Sequence, residues 1–522
     1  MKKIYLVTIF VLFFITGCGS VVPETISPEI MLGKTPTVEI SSQTADPTIA
    51  LPATQTVQPR IAPTVASTEP TYTSTPYPTL STQGTYLAYL GVSPTNENIL
   101  NWVDVNGVGR FMLKLPSDAR IGQLKTALSP DGQWLAFHSG SADQPTVAGE
   151  WEFTLKLMHL PDGKIIPIAN VLSPQHSVNL DESSRNWKND YPFYNQADLA
   201  NIRSDVESLF IMGISAISWS PDSRYLAFAG EIEGTTSDLY QYDTQTTAIE
   251  RLTNENEDLS GEIHWSPDGR QIVYQSSFEP PIVEWKHSLH VIQTDGSSHK
   301  VFEQYMNLYG WVGTHALRVS QAKNGVGEYE LTDINVESGV ANVWWQDGFS
   351  AYTETGGNNR LAICGLLIRD DAPIYGLYLH SRSLTPLLLQ PLEYCTQLLY
   401  RGNQQHEFVL NDSEKGVFGV TQMGEIHSIS PISSALSISP DLRWLLVKNR
   451  AIELYDETDT FIRELTSIHT DDVFWRPDSQ GIFFTSGRKL YYLAIPDGEP
   501  ALVDSNIWVS QWADANFHWI LK

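Results

Sequence analysis

WSPDGRQIVY, from Trp265 to Tyr274, reads as the hinge of a β-hairpin. Trp265 ends one strand. Pro267 presets φ for a turn, Asp268 is suited to bond its own backbone, and Gly269 tolerates positive φ. Ile272, Val273 and Tyr274 then form an apolar run of the kind found in a buried strand. The same order of roles returns in LSPDGQWLAF (Leu128–Phe137), WSPDSRYLAF (Trp219–Phe228), ISPDLRWLLV (Ile438–Val447) and WRPDSQGIFF (Trp475–Phe484). Fainter copies are WQDGFSAY (Trp345–Tyr352) and WADANFHWIL (Trp512–Leu521). This assigns Asp131, Asp222, Asp268, Asp441 and Asp478 a structural role in turns.

Downstream of each hinge a second pattern recurs. LYQYDTQTTAIERLT (Leu239–Thr253) and LHVIQTDGSSHKVF (Leu289–Phe302) each read as an alternating strand, a tight turn and an edge strand. Four strands therefore fall in one repeat, and Asp222 and Asp268 lie 46 residues apart. That is the length of a propeller blade, a sheet that buries its two faces only by packing against neighbours in a ring. The expected fold is all-β, a β-propeller of about eight four-stranded blades, with seven to nine open. Turns of degenerate blades are expected near Gly313, Asp347 and Asn403. The last strand-forming segment looks like the start of a blade and Tyr86–Leu115 like the rest of one. A composite blade would thus close the ring and cover the open edges.

The chain outside this region has another character. Lys2 and Lys3 precede an uncharged, largely apolar run, Ile4–Ile15, too short to span a bilayer and of signal-peptide length. It ends in Ile15-Thr16-Gly17-Cys18, which resembles the lipobox of bacterial lipoproteins. The resemblance implies a signal peptide over 1–17 and diacylglycerol on the Cys18 thiol. It also implies a location on the outer face of the cytoplasmic membrane or at the cell surface. From 18 to 83 Pro, Thr and Ser dominate, with ten prolines after Ser20. Such a segment offers neither continuous backbone donors nor enough apolar surface to fold, and is expected to be a disordered linker. The propeller is expected over 84–522, with an insertion at about 173–213.

WSPDGRQIVY and the Leu252-Thr253 pair resemble the repeat of TolB-type β-propellers, which is WD-repeat-like and occurs also in prolyl oligopeptidase relatives. Propellers of this repeat serve as binding platforms and as substrate gates, so the resemblance implies a fold rather than a reaction. No Gly-x-Ser-x-Gly elbow occurs, and SPDGQW at Ser129–Trp134 departs from the spacing of a sialidase Asp box. The histidines show no zinc-site spacing, and the acidic DETD at Asp456–Asp459 lacks that of a calcium loop. No catalytic, metal or cofactor motif is found. A formal charge of −27 repels nucleic acid phosphates, which need clustered Lys and Arg to neutralise them, so no nucleic-acid partner is expected.

Two features point further. The insertion carries Trp187, Tyr191, Phe193 and Tyr194, suited either to stacking on a sugar or peptide or to packing an expected helix (Asn195–Gly213) against the blades. Cys364 and Cys395 fall in consecutive expected blades of a disulfide-permissive compartment, where a bond and two buried thiols both remain open. The expected function is a membrane-anchored, extracytoplasmic binding module for a protein, peptide or glycan. The alternatives are a polysaccharide hydrolase or lyase working at the channel mouth, and a structural component of an envelope complex.

Overall fold

The computed structural model describes residues 84–521 apart from 94, 142–151, 174–215, 234–236, 255–257, 278–286, 304–305, 323–328, 356–359, 370–371, 382–386, 393–394, 413, 431–434, 449–450 and 509–515. The described part is all-β, with one four-residue helix, Leu124–Ala127. Its strands form nine antiparallel blades. Seven are separate four-stranded sheets, and an eighth, seven-stranded sheet contains two more.

The first blade is composite. Phe517–Leu521 pairs with Thr85–Val92, which pairs with Asn98–Asp104 and that with Phe111–Lys114. The register runs from Thr85 opposite Leu521 to Tyr89 opposite Phe517. The second to fourth blades span 119–170, 217–251 and 258–303, the fifth and sixth 306–391, and the seventh to ninth 395–430, 435–466 and 473–504. Nine is the upper end of the range expected from sequence.

The fifth and sixth blades share one strand, Ala341–Thr355. Its first part pairs with Tyr329–Asn335, and from Gly348 onward it pairs with Arg360–Arg369. This corrects the turn expected near Asp347, which lies within that continuous strand. WQDGF lacks the proline that sets the other hinges. Gly348 instead lets the backbone pass the Trp345 indole, since a Cβ there would lie 2.2 Å from the Trp345 ring nitrogen. The turns near Gly313 and Asn403 do join first and second strands of their blades.

Nine buried apolar clusters sit between consecutive blades around the ring. Leu135 and Phe137 meet the first blade's Leu100 and Trp102, while Phe153 and Leu155 meet the third blade's Leu226 and Phe228. The series continues through the intervening seams to Trp475 and Ile482 against Leu446 and Leu454. It closes where the ninth blade's Phe483 and Leu490 pack on Leu87 and Tyr89 of the first. Each sheet has two apolar faces and spends both on its neighbours, which is why the ring is the stable unit.

The hinges show why the sequence repeats. In the fourth blade the Ser266 hydroxyl donates to Asp268 at 2.7 Å, the Arg270 N–H donates to the same carboxylate, and the Gln271 N–H donates to the Ser266 hydroxyl. The second, third and eighth blades repeat this with Ser129–Asp131, Ser220–Asp222 and Ser439–Asp441. In the ninth, Arg476 replaces the serine and grips Asp478 with Nε at 2.9 Å. The residue after each aspartate is left-handed whatever its type: Gly132, Ser223, Gly269, Leu442 and Ser479 have φ from 62° to 70°. Where that residue is serine its hydroxyl accepts the aspartate N–H of the preceding blade, Asp131 to Ser223 at 2.9 Å and Asp441 to Ser479 at 3.0 Å.

Candidate functional site

Four antiparallel strands begin and end at the same end of a blade. Among the seven blades that are separate four-stranded sheets, the Ser-Pro-Asp hinges therefore lie at one end of the ring and the blade-to-blade connections at the other. Gly84 precedes a second strand and so lies at the hinge end. Insertions between blades belong to the connection end, the surface most open to variation on this scaffold.

At that end, over the first three blades, several features come together. Trp508 projects from the closing connection, 43% exposed, beside a small open hollow lined also by Leu90, Asn98, Leu115, Ala119 and Ile121. Its backbone is held, because its N–H donates to the Leu90 carbonyl at 3.0 Å and its own carbonyl accepts from Asn516. Two blades on, Ser173 and Ala216 flank the sequence insertion. Their surroundings are fixed by the buried Glu231, whose N–H donates to the Val171 carbonyl and whose carboxylate accepts the Ser173 N–H at 3.2 Å. Trp187, Tyr191, Phe193 and Tyr194, the helix expected after them, and Cys18 lie outside the described residues.

The five hinge aspartates are engaged in their turns. The Asp268 carboxyl is held below the ordinary carboxylate range, first by the Ser266 hydroxyl. For Asp441 and Asp478 burial pushes the other way, but bonds from Ser439 and Arg476 with backbone N–H groups prevail. Cys364 and Cys395 are bonded, with α-carbons 6.3 Å apart, in a cluster between the sixth and seventh blades. The DETD stretch forms a third-to-fourth-strand turn in the eighth blade. The Asp456 carboxylate accepts the Thr458 and Thr460 N–H groups there.

Three polar arrangements escaped the sequence. The fully buried Arg401 reaches from the seventh blade into two turns of the eighth. It donates to Asp459 at 2.9 Å, to the Asp456 carbonyl at 2.7 Å and to the Leu442 carbonyl. Asn403 and His406 complete the set on Asp459, whose φ of 55° turns its carboxylate inward. Burial pushes that carboxyl up, and bonds from His406, Arg401 and Asn403 more than reverse the effect. At the closing seam Asp504 accepts Tyr89 at 3.1 Å and Arg110 at 2.9 Å. In the fourth blade Ser276, His290 and His299 form a chain, with contacts of 2.6 and 3.0 Å.

The serine–histidine chain has the connectivity of an activated nucleophile, but Ser276 and His290 are each only 2% exposed, so no substrate reaches the hydroxyl. The other two arrangements join blades. No group of three or more His, Cys, Asp or Glu suited to a metal occurs among the described residues. Partners lie 41 to 58 residues apart at the Arg401 clasp, and Tyr89 lies 415 from Asp504 at the closing seam, beyond any local motif. A recurring tryptophan was the one visible trace of contact between blades. The indole N–H of Trp219 donates to the Ala127 carbonyl, Trp265 to Ser218 and Trp311 to His264, each one blade back.

No protein-family model matches the chain, and no curated protein matches it. Among solved structures it is similar to a eukaryotic initiation factor, at 13% identity over 82% of this chain and 97% of that one, with a TM-score of 0.48. It is similar to TolB from Acinetobacter baumannii at 15% identity, over 58% of this chain and 65% of that one, with a TM-score of 0.29. An oligogalacturonate lyase in complex with manganese matches at 11% identity, over 80% and 96% of the two chains, with a TM-score of 0.32. At these levels no residue role passes from any of them, and the chain stands as a β-propeller with TolB-like structural neighbours.

Proposed function

We propose that this protein is an exported, lipid-anchored binding module that takes a glycan, peptide or protein at the connection end of its ring. The reading rests on the sequence insertion that leaves the ring at Ser173, beside Glu231, at the end opposite Gly84, and whose sequence carries Trp187, Tyr191, Phe193 and Tyr194. Flat aromatic side chains offer large contact area at small entropic cost, which suits sugar rings and extended peptides. The lipobox-like Ile15–Cys18 supplies the anchor. Two or three acyl chains on Cys18 hold stably because each buried methylene contributes about 0.8 kcal/mol. The Pro- and Thr-rich 18–83 supplies reach.

The test exposes residues 84–522 to arrays of envelope glycans and peptides, with product formation followed on every captured species. Saturable capture without turnover is the expected result. Turnover of a captured polysaccharide would replace the reading by a hydrolase or lyase, and co-purification of one fixed partner without array binding by an envelope scaffold.

A further inference from the structure

His138 lies on the second strand of the second blade, Trp134–Ser141, with 4% of its surface exposed. Its ring is stacked on Phe153, centroids 4.6 Å apart and planes within 6°. Its Nε2 has no hydrogen-bond partner. Ala136, Phe153 and Leu155 pack against Trp219, Leu226 and Phe228 of the third blade. His138, two residues beyond Ala136, faces the same seam. A neutral ring sits there as a flat apolar plate. A protonated one would bring a charge and an unsatisfied donor into a dry interface.

The neighbouring charges do not offset that cost. On the inner strand the residue directly opposite His138 is Arg120, of like sign to an imidazolium. Glu152 and Lys156 alternate with Phe153 and Leu155 and so lie on the first-blade face. From the third blade come Glu231, which accepts the Ser173 N–H, and Asp238, bonded to Arg251 at 2.5 Å and Thr253 at 2.9 Å.

We propose that the seam between the second and third blades is an acid-operated latch, with His138 as its sensor. Acidification opens this seam ahead of the others and loosens the connection end at Val171, Ser173 and Glu231, whatever ligand the protein takes. Burial pulls the His138 imidazole down to about 4 from its ordinary 6.5. An opened seam therefore takes up a proton that the closed seam refuses, and opening grows on the order of twentyfold between pH 7 and pH 5.

Amide hydrogen exchange of the full chain, corrected for intrinsic rates, tests this. Amides of 134–141 and 225–230 should lose protection by roughly that factor at pH 5, with 481–486 in the ninth blade unchanged. His138→Phe should abolish the difference. Equal loss in all blades, or none at the second and third, overturns the proposal. Should the variant not fold, exchange of the imidazole C2 hydrogen in the unaltered chain decides: a midpoint near 4 supports the latch, and one near 6.5 overturns it.

Discussion

At the scale of the residue, the hinge is a small hydrogen-bonded device that explains its own sequence. Asp268 ties a hydroxyl and a backbone N–H at once, so Asp268→Ala should cost about 1–3 kcal/mol, read as a lower midpoint in urea unfolding. Ser223 separates two effects. Its φ of 62° favours glycine, while its hydroxyl serves Asp131 of the neighbouring blade. Ser223→Ala keeps the strain and loses the bond, and should destabilise by about 1 kcal/mol. Ser223→Gly loses the same bond but relieves the strain, and should be milder. His138 sets a pH dependence. Its folded pKa is depressed to about 4. Its stability contribution is thus complete above pH 6.5 and is lost as pH falls from 6.5 through 4. His138→Phe should flatten the acid limb of the stability profile by about 3 kcal/mol.

At the scale of the element, blades are held by contacts that cross seams. Arg401→Met leaves Asp459 buried without its guanidinium and should cost about 3–5 kcal/mol, part of which Arg401→Met/Asp459→Asn recovers, as a double-mutant cycle would show. Reducing Cys364–Cys395, 31 residues apart, should lower stability by about 3–4 kcal/mol, with no change in the β signal of far-UV circular dichroism. Legibility in the sequence followed the same division. Hinges that need Pro, Asp and a left-handed residue in order announce themselves, which is how five blades were found. The fifth and seventh blades turn on Gly313 and on Gly402-Asn403 instead, and the fifth and sixth share a strand. A continuous strand leaves no punctuation, so the turn expected near Asp347 is not formed, and the nine blades fall at the upper end of the seven to nine expected.

At the scale of the whole molecule, the C-terminal strand closes the ring on the strand that opens it, and the register from Thr85 to Tyr89 makes both termini of the propeller one sheet. That closure was legible because the start of a blade stood at one end of the repeat and the rest of one at the other. The candidate site was legible only as an insertion with aromatic residues. The buried clasps were not, since a partner a blade away in the ring is an arbitrary distance away in the chain. A Cys18→Ser chain should leave the membrane fraction for the soluble one, checked by fractionation of cells producing either form. The central claim is that the connection end is the binding surface and that residues 183–195 make it so. The direct measurement is the affinity of 84–522, beside the same chain lacking 183–195, for any ligand captured on the arrays. The account predicts binding by the first, its loss in the second, and the same unfolding midpoint for both. Equal affinities would contradict it and return those aromatics to packing.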